Sequence, residues 1–251
     1  MILQAAAKCE FCENPQVVDV FKGRSVTVTA ARGHAIDMFP TGSADGDWSA
    51  CADCASLVKG GDRDLLVMRI AEKLLMRTGA PPGFLQPRII GAFSCFWAAQ
   101  RTDGMRSYVI DDLCTPRQRT LIEFFRHSKP SDHPGRGFER AVGDGVYASV
   151  YLKDVTELGR IAVYFYDIRS TNRERGHASA ALTRLCELAD ANGVDLVLPV
   201  KAYELPPYPV ALTDEELMAW YARHGFAEAG KRSEVGSPYM LRVHAAISEP
   251  T

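Results

Sequence analysis

Four cysteines fall as two CxxC pairs, Cys9-Glu10-Phe11-Cys12 and Cys51-Ala52-Asp53-Cys54. Each pair can chelate, and two pairs together supply the four thiolates of a tetrahedral zinc site with no open position, which points to a structural metal. The 38-residue gap between the pairs is longer than the common spacing. A treble-clef or ribbon-type module is expected, with Trp48 capping it. Cys95, Cys114 and Cys186 have no paired spacing and read as core residues. This usage of seven cysteines favours a metal site in a reducing compartment over a disulfide framework.

A second chemistry-bearing stretch runs from Tyr164 to Leu182, where a strand enters a polar turn and a helix opens at Gly176-His177-Ala178-Ser179. Backbone N–H groups at a helix N-terminus, backed by the positive end of the helix dipole, bind phosphate oxygens. Small residues at Gly176 and Ala178 let a diphosphate approach those amides, and Arg173 and Arg175 add positive charge.

The elements that must carry these residues can be read from pattern and punctuation. A β-branched stretch from Val17 to Thr29 precedes a helix with Leu65, Leu66, Ile70, Leu74 and Leu75, which follows Gly60-Gly61-Asp62. Thr78-Gly79-Ala80-Pro81-Pro82-Gly83 is a run of breakers and marks the expected domain boundary. Phe84 to Gln100 is apolar without a period and is left unassigned. A strand at Tyr108 to Ile110, a helix after Thr115-Pro116, and alternating strands Val146 to Leu152 and Arg160 to Ile168 follow, with Lys153 to Gly159 as a turn. The next helix runs from near Arg175 to Asn192-Gly193. A strand at Val194 to Val200, a capping box at Thr213 to Glu216, a helix to Arg223 and a strand at Tyr239 to Val243 complete the order. The fold class expected is α/β (α+β): a mixed, mostly antiparallel sheet flanked by helices, with a small zinc-binding domain ahead of it. The expected division is a metal module over 1–80, an interface segment over 81–105 and the sheet domain over 106–247.

Arg173-x-x-Gly176-x-Ala178 resembles motif A of the GNAT N-acetyltransferase superfamily, whose loop holds the pyrophosphate of acetyl-CoA; here Ala stands for the second Gly. Trp220-Tyr221-Ala222-Arg223-His224-Gly225-Phe226 resembles its motif B. The resemblance covers about Arg106 to Val243 and implies a GNAT-type sheet. It further implies acetyl transfer from acetyl-CoA to an amine by direct attack in a ternary complex. It assigns Tyr166 and Ile168, through their backbone, with Arg173, Arg175, Gly176, His177, Ala178 and Ser179, to cofactor binding. Tyr221 matches the family's general acid. The glutamate base of histone-type members is absent, since Ala162 stands at its position, and Asp167 and Glu204 are the substitutes at hand. His177 fills a place of varied identity in the motif.

Composition narrows the partners. A chain of 251 residues, 47% apolar and 24% charged, folds as a globular protein. Its net charge of -2 gives no global field for nucleic acid or an anionic membrane. Lys22, Arg24 and Arg32 are too few to favour nucleic acid. The longest apolar stretch, Ile89 to Ala99, is about half a bilayer span, and no secretory start is seen, so a cytoplasmic protein is expected. The acceptor class stays open among small molecules, proteins and aminoacyl-tRNA, and a homodimer stays open too. The alternatives to an N-acetyltransferase are a binding protein of the same fold without turnover and a nucleic-acid base-modifying transferase.

Overall fold

The computed structural model describes residues 8–29, 42–44, 46–103, 105, 107–130, 140–143, 145–171, 176–202 and 212–244. The chain forms two compact units, Met1–Ile122 and Glu123–Thr251.

The first unit carries short strands β1 (Asp19–Phe21), β2 (Val26–Thr29), β3 (Gly42–Ala44) and β4 (Trp48–Ala50). Helices α1 (Ala52–Gly60), α2 (Arg63–Thr78) and α3 (Pro82–Ala99) follow, then β5 (Ser107–Val109); α4 (Pro116–Phe125) runs across the division. β1 pairs antiparallel with β4, setting Phe21 opposite Trp48. β2 lies between an antiparallel β3 and a parallel β5. α2 buries Leu66, Val67, Ile70 and Ala71 on one face, the amphipathic spacing expected of the leucine-rich segment. α3 is buried along almost all of its length, from Leu85 and Ile89 to Phe96 and Ala98. That burial explains why the segment shows no sequence period: a helix covered on all sides has no polar stripe. The turn-forming run 78–83 links α2 to α3, two helices of the same unit that pack on each other, and the division between units falls further along, at Ile122.

The second unit is built on β6 (Lys129–Pro130), β7 (Arg140–Gly143), β8 (Val146–Val155), β9 (Arg160–Ser170), α5 (His177–Ala191), β10 (Leu196–Pro199), α6 (Asp214–Ala222), β11 (Ala227–Arg232) and β12 (Pro238–Arg242). Among the described residues these strands form one seven-stranded sheet in the order β11-β12-β10-β9-β8-β7-β6. Only β9 and β10 run parallel, with α5 as the crossover between them, and every other pair is antiparallel. The chain is therefore mixed α/β with a mostly antiparallel sheet.

Three local readings change. Lys153 to Val155 continues β8 rather than turning, and the turn is the 3-10 segment Thr156–Leu158 closed by Gly159. Lys129–Pro130 begins as strand rather than loop, while the rest of that loop, 131–139, lies outside the described residues. β11, with the burial-poor sequence AEAGKR, has no alternation to announce it. The capping box ahead of α6 forms as expected: Thr213 accepts from the Glu216 N–H at 3.2 Å, and Glu216 accepts from the Thr213 N–H at 2.8 Å. Among the described residues no helix is long and apolar enough to cross a membrane.

Candidate functional site

In the first unit the two cysteine pairs converge. The Sγ atoms of Cys9, Cys12, Cys51 and Cys54 all lie within 4.8 Å of one another. Cys12 stands 3.7 Å from Cys9 and 3.6 Å from Cys51. Four sulfurs on a tetrahedron with bonds of about 2.3 Å would sit about 3.75 Å apart, so the cluster already has close to the span a bound metal ion requires.

Local structure explains the convergence. After the first pair Glu13 adopts a left-handed φ of 59° and donates its N–H to the Cys9 carbonyl, while Asn14 accepts from the Cys9 N–H. That tight turn folds Cys9 and Cys12 onto the same side. Cys51 occupies the N-cap of α1, and Cys54 follows one turn later. Burial alone would raise the Cys51 thiol, but the Cys54 N–H and the neighbouring thiols Cys12, Cys54 and Cys9 outweigh it and bring it down to about 7. Burial pushes Cys12 and Cys54 up.

Behind the pair, Phe11 stacks on Phe93 at 5.2 Å and meets Phe96 edge-on at 5.0 Å. Trp48 closes on Phe11 and Phe96 at 6.0 and 5.3 Å, so it backs the cysteine turn as its position suggested. Each fully buried ring of this group contributes roughly 1.5–3 kcal/mol by removal from water.

Sequence reading did not find Arg69. From the second turn of α2 its guanidinium reaches Asp53 at 2.5 Å and lies against Cys54 and Cys51, with its Nε buried and without a hydrogen-bond partner. Four thiolates around a divalent ion carry two net negative charges, and a half-buried cation beside the sulfurs offsets part of them. The donor set, the sulfur spacing and Arg69 together fit a metal ion. No spacing rule links a residue on α2 to the cysteine pairs, so nothing in the sequence flagged it.

In the second unit β9 carries Tyr166, Asp167 and Ile168, just past the point where it parts from its parallel neighbour β10. β9 pairs with β10 only at Val163↔Leu196 and Tyr164↔Val197. Beyond that point β10 stays with β12, through Leu198↔Met240 and Pro199↔Tyr239, while β9 stays with β8 to Ser170. The β8–β9 ladder also slips there: Val150 faces Phe165 but Ser149 faces Asp167, so Tyr166 is an extra, bulged residue. Tyr166 is 45% exposed, whereas Ile168 is buried opposite Ala148.

Tyr221 from α6 packs into this place, edge-on to Phe165 at 5.7 Å and to Phe226 at 5.9 Å. Burial pushes its phenol well above the ordinary value, and the negative charge of Asp167 adds to the shift. Asp167 itself lies 3.6 Å from Arg169. Ala162 is fully buried in a cluster with Tyr164, Val197 and Tyr239 and offers no chemistry.

α5 begins after the end of β9. Gly176 is its N-cap with φ 71°, a conformation that β-carbon-bearing residues adopt at a cost. Among the described residues a Cβ built on it meets no atom within 4 Å, and its backbone conformation is what favours glycine. His177, Ala178 and Ser179 form the first turn, half-buried. The hydroxyl of Ser179 accepts a hydrogen bond from Trp220 Nε1 at 2.9 Å, so it braces α6 as well as standing in the first turn. Arg173, Arg175 and Glu204 lie outside the described residues, as does the proline-rich segment 205–210.

No family model matches the sequence. No curated protein matches it. Among solved structures, PH1933 from Pyrococcus horikoshii OT3 is similar at a TM-score of 0.32 and 17% identity, over 43% of this chain and 64% of that one. The present chain thus spans less than two thirds of PH1933. The anti-CRISPR protein AcrVA5 is similar at a TM-score of 0.29 and 16% identity, over 38% of this chain and 88% of that one. Likenesses this low carry no argument. The fold and the site define a mixed α/β protein with a mostly antiparallel sheet and a four-cysteine cluster able to hold a metal ion.

Proposed function

We propose that the protein is an acetyl-CoA-dependent N-acetyltransferase of the GNAT type, with a structural zinc ion held by Cys9, Cys12, Cys51 and Cys54. The observation that carries the reading is the parting of β9 from β10 after Tyr164, with a bulge at Tyr166, Tyr221 packed at the same place and the N-terminus of α5 following β9. Two parallel strands that diverge at their carboxyl ends open a crevice between them, the type of place where open parallel α/β sheets bind ligands.

Each residue then has a task. The first turn of α5, Gly176 to Ser179, receives the diphosphate on backbone N–H groups. Backbone groups at Tyr166 to Ile168, re-aimed by the bulge, line the thioester arm and face the oxygen that gains charge when the amine attacks the carbonyl. The amine nitrogen forms a bond to the carbonyl carbon, the carbon–sulfur bond breaks, and the thiolate leaves. Because burial keeps the Tyr221 phenol protonated, it acts as hydrogen-bond donor to the departing sulfur. Asp167 is the carboxylate assigned to take the amine proton, directly or through water. Zinc, when bound, holds the two cysteine pairs together and supplies folding energy to a unit whose strands are only three or four residues long.

The test is calorimetric titration of the full chain with CoA and acetyl-CoA, followed by thiol-release assays across small amines, peptides and aminoacyl-tRNA. Binding with turnover that falls steeply in Tyr221→Phe supports the enzyme. Binding without turnover on any acceptor favours a binding protein of the same fold. Absence of CoA binding removes the reading altogether.

A further inference from the structure

The four cysteines are not equivalent. Cys9, Cys51 and Cys54 are 0, 2 and 0% exposed, while Cys12 is half-buried. Cys12 also forms part of the wall of a cavity of about 300 Å³ between the first cysteine turn and helices α2 and α3. Its other walls are carbon-rich, formed by Phe11, Ile70, Leu85, Ala92 and Phe93. The lining residues on each helix recur at helical spacing, Ile70, Lys73, Leu74 and Arg77 on α2, so the cavity follows the groove between two packed helices and opens to solvent at charged residues. Glu10, Glu13, Lys73, Arg77 and Arg88 also line it, and it is wide enough for a small neutral molecule such as a peroxide.

From this asymmetry we infer that Cys12 is a modification site: the sulfur through which neutral oxidants and electrophiles reach the four-cysteine centre, and whose oxidation by a peroxide unlatches it. The Cys12 thiolate attacks one oxygen of hydrogen peroxide. A sulfur–oxygen bond forms, the oxygen–oxygen bond breaks, and the departing hydroxide takes a proton to become water, leaving a sulfenic acid. The thiolate of Cys51, 3.6 Å away, or of Cys9, 3.7 Å away, then attacks the Cys12 sulfur. A disulfide forms, the sulfur–oxygen bond breaks, and a second hydroxide leaves as water after protonation. Two thiolates and two protons are consumed with one peroxide; the sulfurs lose two electrons and the peroxide gains them. With two of four donors converted to a disulfide, the chain loses its hold on the metal. The inference rests on the metal reading of the four cysteines but not on acetyl transfer.

The experiment uses the full chain, loaded with zinc. Native mass spectrometry first reads the metal stoichiometry, so failure of the metal reading is seen before any oxidation. Brief exposure to N-ethylmaleimide, then peptide mapping, reads the order of thiol modification, and peroxide is applied in parallel. In the zinc-bound chain all four sulfurs are held as thiolates, so access rather than acidity sets the order, and Cys12 is expected to react about tenfold faster than Cys9, Cys51 or Cys54. Peroxide should release one zinc and produce a disulfide containing Cys12, with a loss of two hydrogens. Ala92→Phe, which adds a ring at an exposed wall position, should slow Cys12 modification severalfold while metal stoichiometry stays unchanged. Equal rates at all four cysteines, first modification at Cys95, Cys114 or Cys186, or an unaltered rate in Ala92→Phe with metal retained would each overturn the proposal. A chain that retains no zinc in native mass spectrometry overturns the metal reading and this inference with it, before any oxidation is read.

Discussion

The indole Nε1 of Trp220 donates to the Ser179 hydroxyl at 2.9 Å, tying α6 to the first turn of α5. The same helix that presents Tyr221 is thus anchored to the turn that would receive a diphosphate. Trp220→Phe removes the donor, and Ser179→Ala removes the acceptor. Each is expected to cost roughly 1 kcal/mol in urea unfolding, with a double-mutant coupling of about 0.5–1.5 kcal/mol. Additive losses would show that the bond is incidental to the packing of the ring.

Gly176 gives a second, sharper handle on the same turn. With φ 71°, Gly176→Ala meets a backbone penalty and, among the described residues, no collision. The expected destabilisation is roughly 1–2 kcal/mol, the ordinary cost of a left-handed residue. Gly176→Asn should recover part of it, since asparagine tolerates that region better than alanine. A loss far above this in alanine, unrelieved in asparagine, would mean that the turn is constrained by something other than φ. CoA affinity, measured in both variants, separates an altered turn from an altered fold.

How much of this was written in the sequence differs by feature. The CxxC pairs announced their meeting because chelating spacing is local, and α5 and α6 were legible from their apolar period and from the Thr213–Glu216 box. α3 was not, because burial on every side erases periodicity. β11 was missed for the opposite reason: it is largely exposed and has no apolar alternation to detect. In the candidate sites, the bulge at Tyr166 depends on the register of β8 against β9, and Arg69 depends on how α2 packs beside α1. Both are relations between distant segments, which spacing along one chain does not encode.

Arg69 supplies the next prediction. A cation held by Asp53 and set against Cys54 offsets the negative charge of a tetrathiolate, and outer partners of this type tune metal affinity. Arg69→Gln is expected to weaken zinc binding about 10–100-fold in competition with a chromophoric chelator. Chelation of the parent chain should also abolish the near-ultraviolet signal of Trp48, whose ring packs on Phe11 inside the cysteine turn. Unchanged affinity in Arg69→Gln would reduce the residue to a surface ion pair with Asp53.

Asp195 tests the electrostatics of the second unit. It stands just before β10 and accepts from the His244 N–H at 3.2 Å, with His244 Nδ1 at 3.0 Å and Arg160 Nη1 at 2.6 Å. Burial would raise its carboxyl, but the two His244 contacts and the Arg160 charge outweigh it, so the folded value lies below 3.8. A carboxylate with a depressed folded value binds protons more readily when unfolded. Its stabilising contribution is therefore complete above the unfolded value and is lost as pH falls through the folded one. Asp195→Asn keeps the shape and an acceptor but carries no charge. Its stability deficit relative to the parent, read in denaturant midpoints from about pH 5 downward, should stay level to about pH 4 and close as acid protonates Asp195. Acid release of metal from the cysteines is common to both chains and cancels in the difference. A deficit that stays constant to pH 2, or widens, would mean that the charge of Asp195 does not hold β9, β10 and the end of β12 together.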